Sequence, residues 1–348
     1  MLATGSSTPQ SNAISLAAER QKAINFEREV AKAIVGQDRA IRLLTIAIFA
    51  RGHVLLEGDV GVGKTTLLRA AARALGGAYE RIEGTIDLMP TDMIYHTFLD
   101  EHGKPRVEPG PVLRHGRDLS IFFFNEINRA RPQVHSLLLR LMAERSLTAF
   151  NREHTFPNLL VFADRNRIER EETFELPAAA RDRFLMEVAI TAPVDDANRI
   201  ALLFEPKFHD TDALIESVQA GVLEHAKLND IARAIQSSVF VSPTIKRYVL
   251  DIWNAVARPS EAGIDIAGVD MSRLIAGGAS PRGMSYLMRA ARTAAWLNGR
   301  DGVTPDDVRG IFSEVMAHRI FLTPVYELRR DAIISDLIRS VFEKVPAP

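Results

Sequence analysis

The sequence predicts an α/β fold, a parallel sheet flanked by helices, followed by a smaller all-α domain. Two observations place the sheet. HVLLEG, residues 53–58, is a short apolar strand pattern that runs directly into GDVGVGKT and an amphipathic helix. SIFFF, residues 120–124, is a continuous apolar run of the kind that is buried on both faces of a parallel sheet. A third places the helical domain: Ser280 and Pro281 open a long helix that runs to Asn298 before Gly299, and further capped helices follow it.

Composition narrows the class. At 348 residues the chain can bury one large core or two ordinary domains, and 47% apolar with 25% charged residues is what a soluble globular protein carries. A formal charge of -1 gives no general pull toward nucleic acid or anionic lipid, so neither is expected as a partner. With no cysteine, disulfides, thiolate zinc sites and Cys nucleophiles are excluded. The longest apolar runs, such as LLTIAIFA, are too short for a bilayer. The first sixteen residues are rich in Ser, Thr and Asn without a basic start or apolar middle, which reads as a frayed tail on a cytoplasmic protein. No H-E-x-x-H pair or G-x-S-x-G turn occurs.

Along the chain we expect a tail and leading helix over 1–26, an α/β nucleotide-binding core over 27–205, a connector over 206–240, and a helical domain with a closing helix over 241–348. GDVGVGKT matches G-x-x-x-x-G-K-[ST] at every required position. Gly58, Gly61 and Gly63 let the backbone wrap around phosphate oxygens, and Asp59, Val60 and Val62 supply the remaining loop amides. Lys64 reaches the β and γ phosphates of ATP, Thr65 binds Mg²⁺, and Thr66 continues the helix start that offers its positive end. Leu67, Leu68, Ala71 and Leu75 form one helix face, ended by Gly76 and Gly77.

The carboxyl end of the SIFFF strand carries Asn125 and Glu126, where ligands gather in open parallel sheets. The usual pattern is Asp then Glu: the first steadies magnesium, often through water, and the second orients or deprotonates the attacking water. Glu126 keeps its role. Asn125 can accept from a magnesium-bound water but brings no charge, so binding with slower hydrolysis is expected, unless Thr65 and the phosphates make it neutral in effect.

AIVGQDRAI, ARGHVLLEGDVGVGKT, PGPVL, NEINRARPQ, LPAAARDRF, GASPRG, VTPDDVR and VFEKVPAP together resemble the MoxR-type AAA+ ATPases, from about residue 27 to the end. The resemblance implies an AAA+ core with a helical lid. It implies that Val35, Gly36 and Gln37 lie beside the adenine, that Asn166 in LLVFADRNR senses the γ-phosphate, and that Arg183 of D-R-F is the finger reaching a neighbour's ATP. Arg181 competes for that role, and Arg282 of S-P-R matches the second sensor. Each arginine also has a plainer reading, because most arginines are surface charges whose stems cover apolar neighbours. The chain departs from the family at Asn125, at Arg167 where Pro is usual, and at Ala178 where Glu is common.

Two hairpins are expected, one around His102 and Gly103 in TFLDEHGKPRVEPGP, which in the family faces the central pore, and one in SLTAFNREHTF, residues 146–156; each is equally readable as an exposed connection. Thr304 and Pro305 with Asp306 and Asp307 open another helix, and the last one presents Ile333, Ile334, Leu337 and Val341. By resemblance the protein is a magnesium-dependent ATPase, a homo-hexamer that remodels or activates a client complex beside a von Willebrand factor A domain partner, often for a metalloenzyme. The alternatives are a nucleotide-gated assembly subunit with little hydrolysis, or a chelatase or DNA-directed motor.

Overall fold

The computed structural model of the protein describes residues 14–166 and 174–348, so Arg167 lies outside the described residues. The core strands are β1 (His53–Glu57), β2 (Ala78–Glu83), β5 (Leu119–Asn125), β8 (Leu160–Arg165) and β9 (Phe184–Ala189); β3 (Tyr95–Leu99) with β4 (Pro105–Pro109), and β6 (Ser146–Ala149) with β7 (Arg152–Thr155), are the two hairpins. The core strands form one parallel sheet in the order β2-β5-β8-β1-β9. β1 therefore lies between β8 and β9, with the glycine loop leaving its carboxyl end.

The apolar run of β5 is buried because each face meets a different layer. Phe122 and Phe124 pack with Val134 and Leu138 of the helix Pro132–Glu144, while Ile121 and Phe123 pack with Leu67, Leu68 and Ala71 of the helix Lys64–Leu75. Successive side chains of a strand point to opposite faces, so an uninterrupted Phe run needs two apolar layers.

The leading helix, Leu16–Ala31, extends past residue 26; Ala23, Phe26 and Val30 are buried, and it packs against Lys64–Leu75 and Asp38–Phe49. It is therefore part of the core layer. The two expected hairpins are present, and Tyr95 at the base of the first meets Phe150 in the turn of the second, their rings 5.2 Å apart. Gly103 adopts φ +70° in the first hairpin's turn, a conformation that favours glycine.

The lid consists of helices Pro243–Ala257, Pro281–Leu297, Pro305–Met316 and Arg330–Lys344, with one short antiparallel ribbon between β10 (Ile275–Gly277) and β11 (Phe321–Leu322). Ser280 caps Pro281–Leu297 by accepting from the Gly283 amide at 3.0 Å, and Thr304 with Asp307 forms a capping box. Among the described residues no helix is long and apolar enough to cross a membrane.

Ile333, Ile334, Leu337 and Val341 are the buried residues of the closing helix, and Leu337 is 0% exposed. Leu337→Ala is expected to lower unfolding free energy by about 2–5 kcal/mol, whereas Arg339→Ala on the exposed side should change it by roughly 0.5 kcal/mol or less. Urea denaturation of the two variants checks the difference.

Candidate functional site

The glycine loop is built from backbone that a side chain would spoil. A Cβ on Gly58 would lie 2.3 Å from the carbonyl oxygen of Ile190, and Gly61 and Gly63 adopt φ of +79° and +90° with open space where side chains would project. The helix Lys64–Leu75 starts on Gly63 without a side-chain cap, so its first amides are left for a ligand. Thr65 and Thr66 are half-buried in its first turn, Val62 packs on the core, and Asp59 and Val60 are exposed at the loop's crest.

Lys64 is 8% exposed. Its ammonium donates to the Gly58 carbonyl at 2.7 Å and to Asn166 Oδ1 at 2.7 Å, and lies 3.1 Å from Asp164 Oδ2. A buried ammonium needs such partners, and every one stands at the carboxyl end of β1 or β8. The sequence reading overlooked Asp164. A carboxylate closing an apolar strand two residues before Asn166 is the signal that could have found it.

Parallel pairing of Phe124 with Ala163 brings Asn125 and Asp164 to adjacent strand ends. Asp164 Oδ1 accepts the Glu126 amide at 2.5 Å, and burial pushes its carboxyl up against the pull of that amide and of Lys64. Asn125 turns the other way, and its side-chain amide donates to Glu83 Oε1 on β2. An amide suits that place, because a carboxylate at 125 would face Glu83 on one side and Asp164 on the other.

Glu126 is held in the left-handed region, φ +53°, unusual for a non-glycine residue. Gly84 makes room for it: the Gly84 amide donates to the Asn125 carbonyl at 2.7 Å, and a Cβ there would lie 2.2 Å from the Glu126 carbonyl oxygen. Glu126 Oε2 pairs with Arg129 at 2.9 Å, and Oε1 accepts from Asn166 Nδ2 at 3.4 Å. Asn166 thus bridges Lys64 and Glu126. Just before it, Arg165 joins Glu57 of β1 at 3.1 Å and Glu187 of β9 at 3.0 Å, clamping three strand ends.

Beside the loop, a cavity of about 890 Å³ opens between core and lid, with Gly36, Gln37, Asn166, Arg181 and Glu314 in its walls. Val35 is half-buried, and the Gln37 amide donates to the Thr191 carbonyl, which ties the segment to the end of β9.

The arginines divide. Arg181 turns inward, its guanidinium 4.9 Å from the Phe321 ring, and burial followed by Arg330 and Arg165 pushes its pKa down. Half-buried Arg183 donates to the Ala179 carbonyl at 2.6 Å. Arg282 pairs with Asp182 at 2.8 Å. Asp182 also accepts from Ser280 Oγ at 2.8 Å and from Arg319 Nε at 3.2 Å. Lying between Arg181 and Arg183, Asp182 was missed because its partners are about a hundred residues distant in sequence.

Comparison with known proteins gives the family and the fold. Residues 53–186 match the ATPase family associated with various cellular activities (AAA), and residues 270–337 match the AAA lid domain. Protein MoxR of Methylorubrum extorquens is 69% identical over 94% of this chain and 96% of its own length. Chaperone MoxR1 of Mycobacterium tuberculosis is 34% identical over 98% of this chain and 86% of its own length. A solved structure of a Cytophaga hutchinsonii protein assigned as an ATPase superposes with a TM-score of 0.77 at 28% identity, covering 93% of this chain and 98% of that one.

Two outcomes are expected from the strand-end carboxylates. Asp164→Asn should cut ATP turnover roughly 10- to 100-fold, because it removes the buried partner of Lys64; steady-state hydrolysis over a magnesium series reads this. Asn125→Asp adds a third carboxylate whose folded pKa is raised above its unfolded value. Its stability relative to the parent should therefore fall as pH rises from about 4 to about 7, while Asn125→Ala shows no such slope in thermal denaturation.

Proposed function

This chain belongs to the MoxR-type AAA+ ATPases, and on that premise we propose that it binds and hydrolyses magnesium-ATP within a ring of identical copies to remodel, mature or activate a client protein complex. The observation that carries the reading is the Lys64 ammonium, held by Gly58, Asp164 and Asn166 beside a helix start whose amides have no side-chain cap. Open space at Gly61 and Gly63 fits a phosphate chain, and the donors Thr65, Glu126 and Asp164 fit a hard cation carried by those phosphates.

In this reading Thr65 and the phosphates hold magnesium, which when bound supplies charge neutralisation on the transferring phosphoryl group. Asp164 provides the strand-end carboxylate that Asn125 lacks. Its contacts with Lys64 and the Glu126 amide place both groups. Glu126 orients and deprotonates the attacking water, and Asn166, touching both Glu126 and Lys64, reports the γ-phosphate to both.

Arg183 is the finger offered to a neighbour's nucleotide, since Arg181 is committed to Phe321 in its own protomer. Arg282, tied to Asp182 next to Arg183, links the lid to that finger. Ring formation is supported by the helix Asp196–Phe204, which has no buried residue and exposes Ile200, Leu203 and Phe204. A cytoplasmic location, a von Willebrand factor A domain partner and a metalloenzyme client complete the proposal, as family members commonly have them. That the M. tuberculosis relative is a named chaperone supports the remodelling role.

The test is nucleotide binding and turnover in three variants. Lys64→Ala should abolish ATP binding. Glu126→Gln should keep binding and stop turnover, and Arg183→Ala should cut turnover roughly 1,000-fold while leaving affinity intact. Normal turnover in Arg183→Ala would remove the finger assignment; a parent that binds ATP without turning it over would instead make the chain a nucleotide-gated assembly subunit.

A further inference from the structure

At the opposite end of β1 from the glycine loop, three guanidinium groups share one recess. Arg51, immediately before β1, Arg145 at the end of the helix Pro132–Glu144, and Arg289 on the lid helix Pro281–Leu297 line a cavity of about 690 Å³ together with Asn229 and Gln236 of the helix Leu228–Ser238. No Asp or Glu lines it, and none of the three arginines has a carboxylate partner among the described residues. Arg233 at its edge is paired with Asp230, which is not part of the lining.

Arg51 is the informative member. It is 5% exposed, its Nε donates to Asn229 Oδ1 at 2.9 Å, and its Nη1 and Nη2 are buried without a hydrogen-bond partner. Gln236 Oε1 is also buried and unpartnered. The backbone gathers the charges: Arg145 donates to the Arg51 carbonyl at 3.2 Å, and Arg289 donates to the Ala50 carbonyl. Burial, then Arg145 and Arg289, pushes Arg51 down to about 9. The same field reaches His53 behind it, which burial and then Arg145 hold at about 3.

Buried guanidinium donors left without acceptors are costly, and like charges brought together add to that cost. A multivalent oxyanion relieves both, because planar guanidinium forks match phosphate oxygens two at a time. Three positive charges exceed what a single carboxylate balances, and the recess has the volume of a small-molecule site. We propose that this recess is a second anion site, distinct from the nucleotide site, that takes a small phosphate-bearing molecule. Its walls come from the core, the connector helix and the lid, so occupancy fastens Pro281–Leu297 and Leu228–Ser238 to the amino end of β1.

The experiment is thermal denaturation of the full chain, its glycine loop saturated with magnesium-ADP, titrated with inorganic phosphate against sodium chloride of matched ionic strength. The expected result is a saturable rise in Tm with phosphate beyond that of chloride. Arg51→Gln should raise Tm without phosphate, because it removes a buried unpaired charge, and should weaken the phosphate response roughly tenfold or more. If Arg51→Gln does not fold, Arg289→Gln reads the same loss. The proposal is overturned if phosphate does no more than chloride, or if the response persists undiminished in both variants. It is also overturned if phosphate has no effect while Arg51→Gln changes the sedimentation of the assembly, which would give the recess to a carboxylate of a second copy.

Discussion

A buried ammonium group organises this molecule. Lys64 sits at the meeting of three strand ends with 8% exposure, and a charge so placed is tolerable only if acceptors surround it. Gly58 contributes its carbonyl from the end of β1, while Asp164 and Asn166 contribute side chains at the end of β8. Asp164 then takes the Glu126 amide, so β5 is tied to the same charge. The left-handed backbone at Glu126 is held by these contacts on one side and by the absent side chain of Gly84 on the other. Strain of this kind survives only where the surroundings over-determine it, and here it falls on the residue we propose orients the attacking water.

A second buried cation ties the lid to the core. Arg319 is 1% exposed and pushed down to about 10 by burial, with Asp182 opposing the shift. Asp182 accepts from Arg319, Arg282 and Ser280, three lid residues, while its chain neighbours are the two candidate finger arginines. The lid is thereby tied to the segment that carries the proposed finger. The Arg51 cluster touches the same lid helix from the other end of the sheet, so the lid is gripped at two places by arginine chemistry.

Elements with a strong local cause were legible from the sequence. The glycine loop needs backbone freedom and a helix start, and both are written in eight consecutive residues. Helix caps at Ser280 and Thr304, the turn at Gly103 and the apolar face of the closing helix likewise follow from neighbours a few positions apart. Asn125 was different. Its partner Glu83 on β2 and its neighbour Asp164 on β8 come from strands that pair only after folding, so its surroundings are not written in the residues beside it.

By itself, the sequence determined the α/β core with its helical lid, the phosphate cradle and the family to which the chain belongs. Only the tertiary structure decided where charge resides. It set Asp164 beside Lys64, turned Arg181 inward, joined Arg282 to Asp182, and gathered three arginines with no carboxylate partner among the described residues. The physical reason is range. Caps, turns and glycine loops are satisfied by groups within a turn or two of the chain, whereas a buried charge must be answered by whatever the sheet order and the docked lid bring beside it.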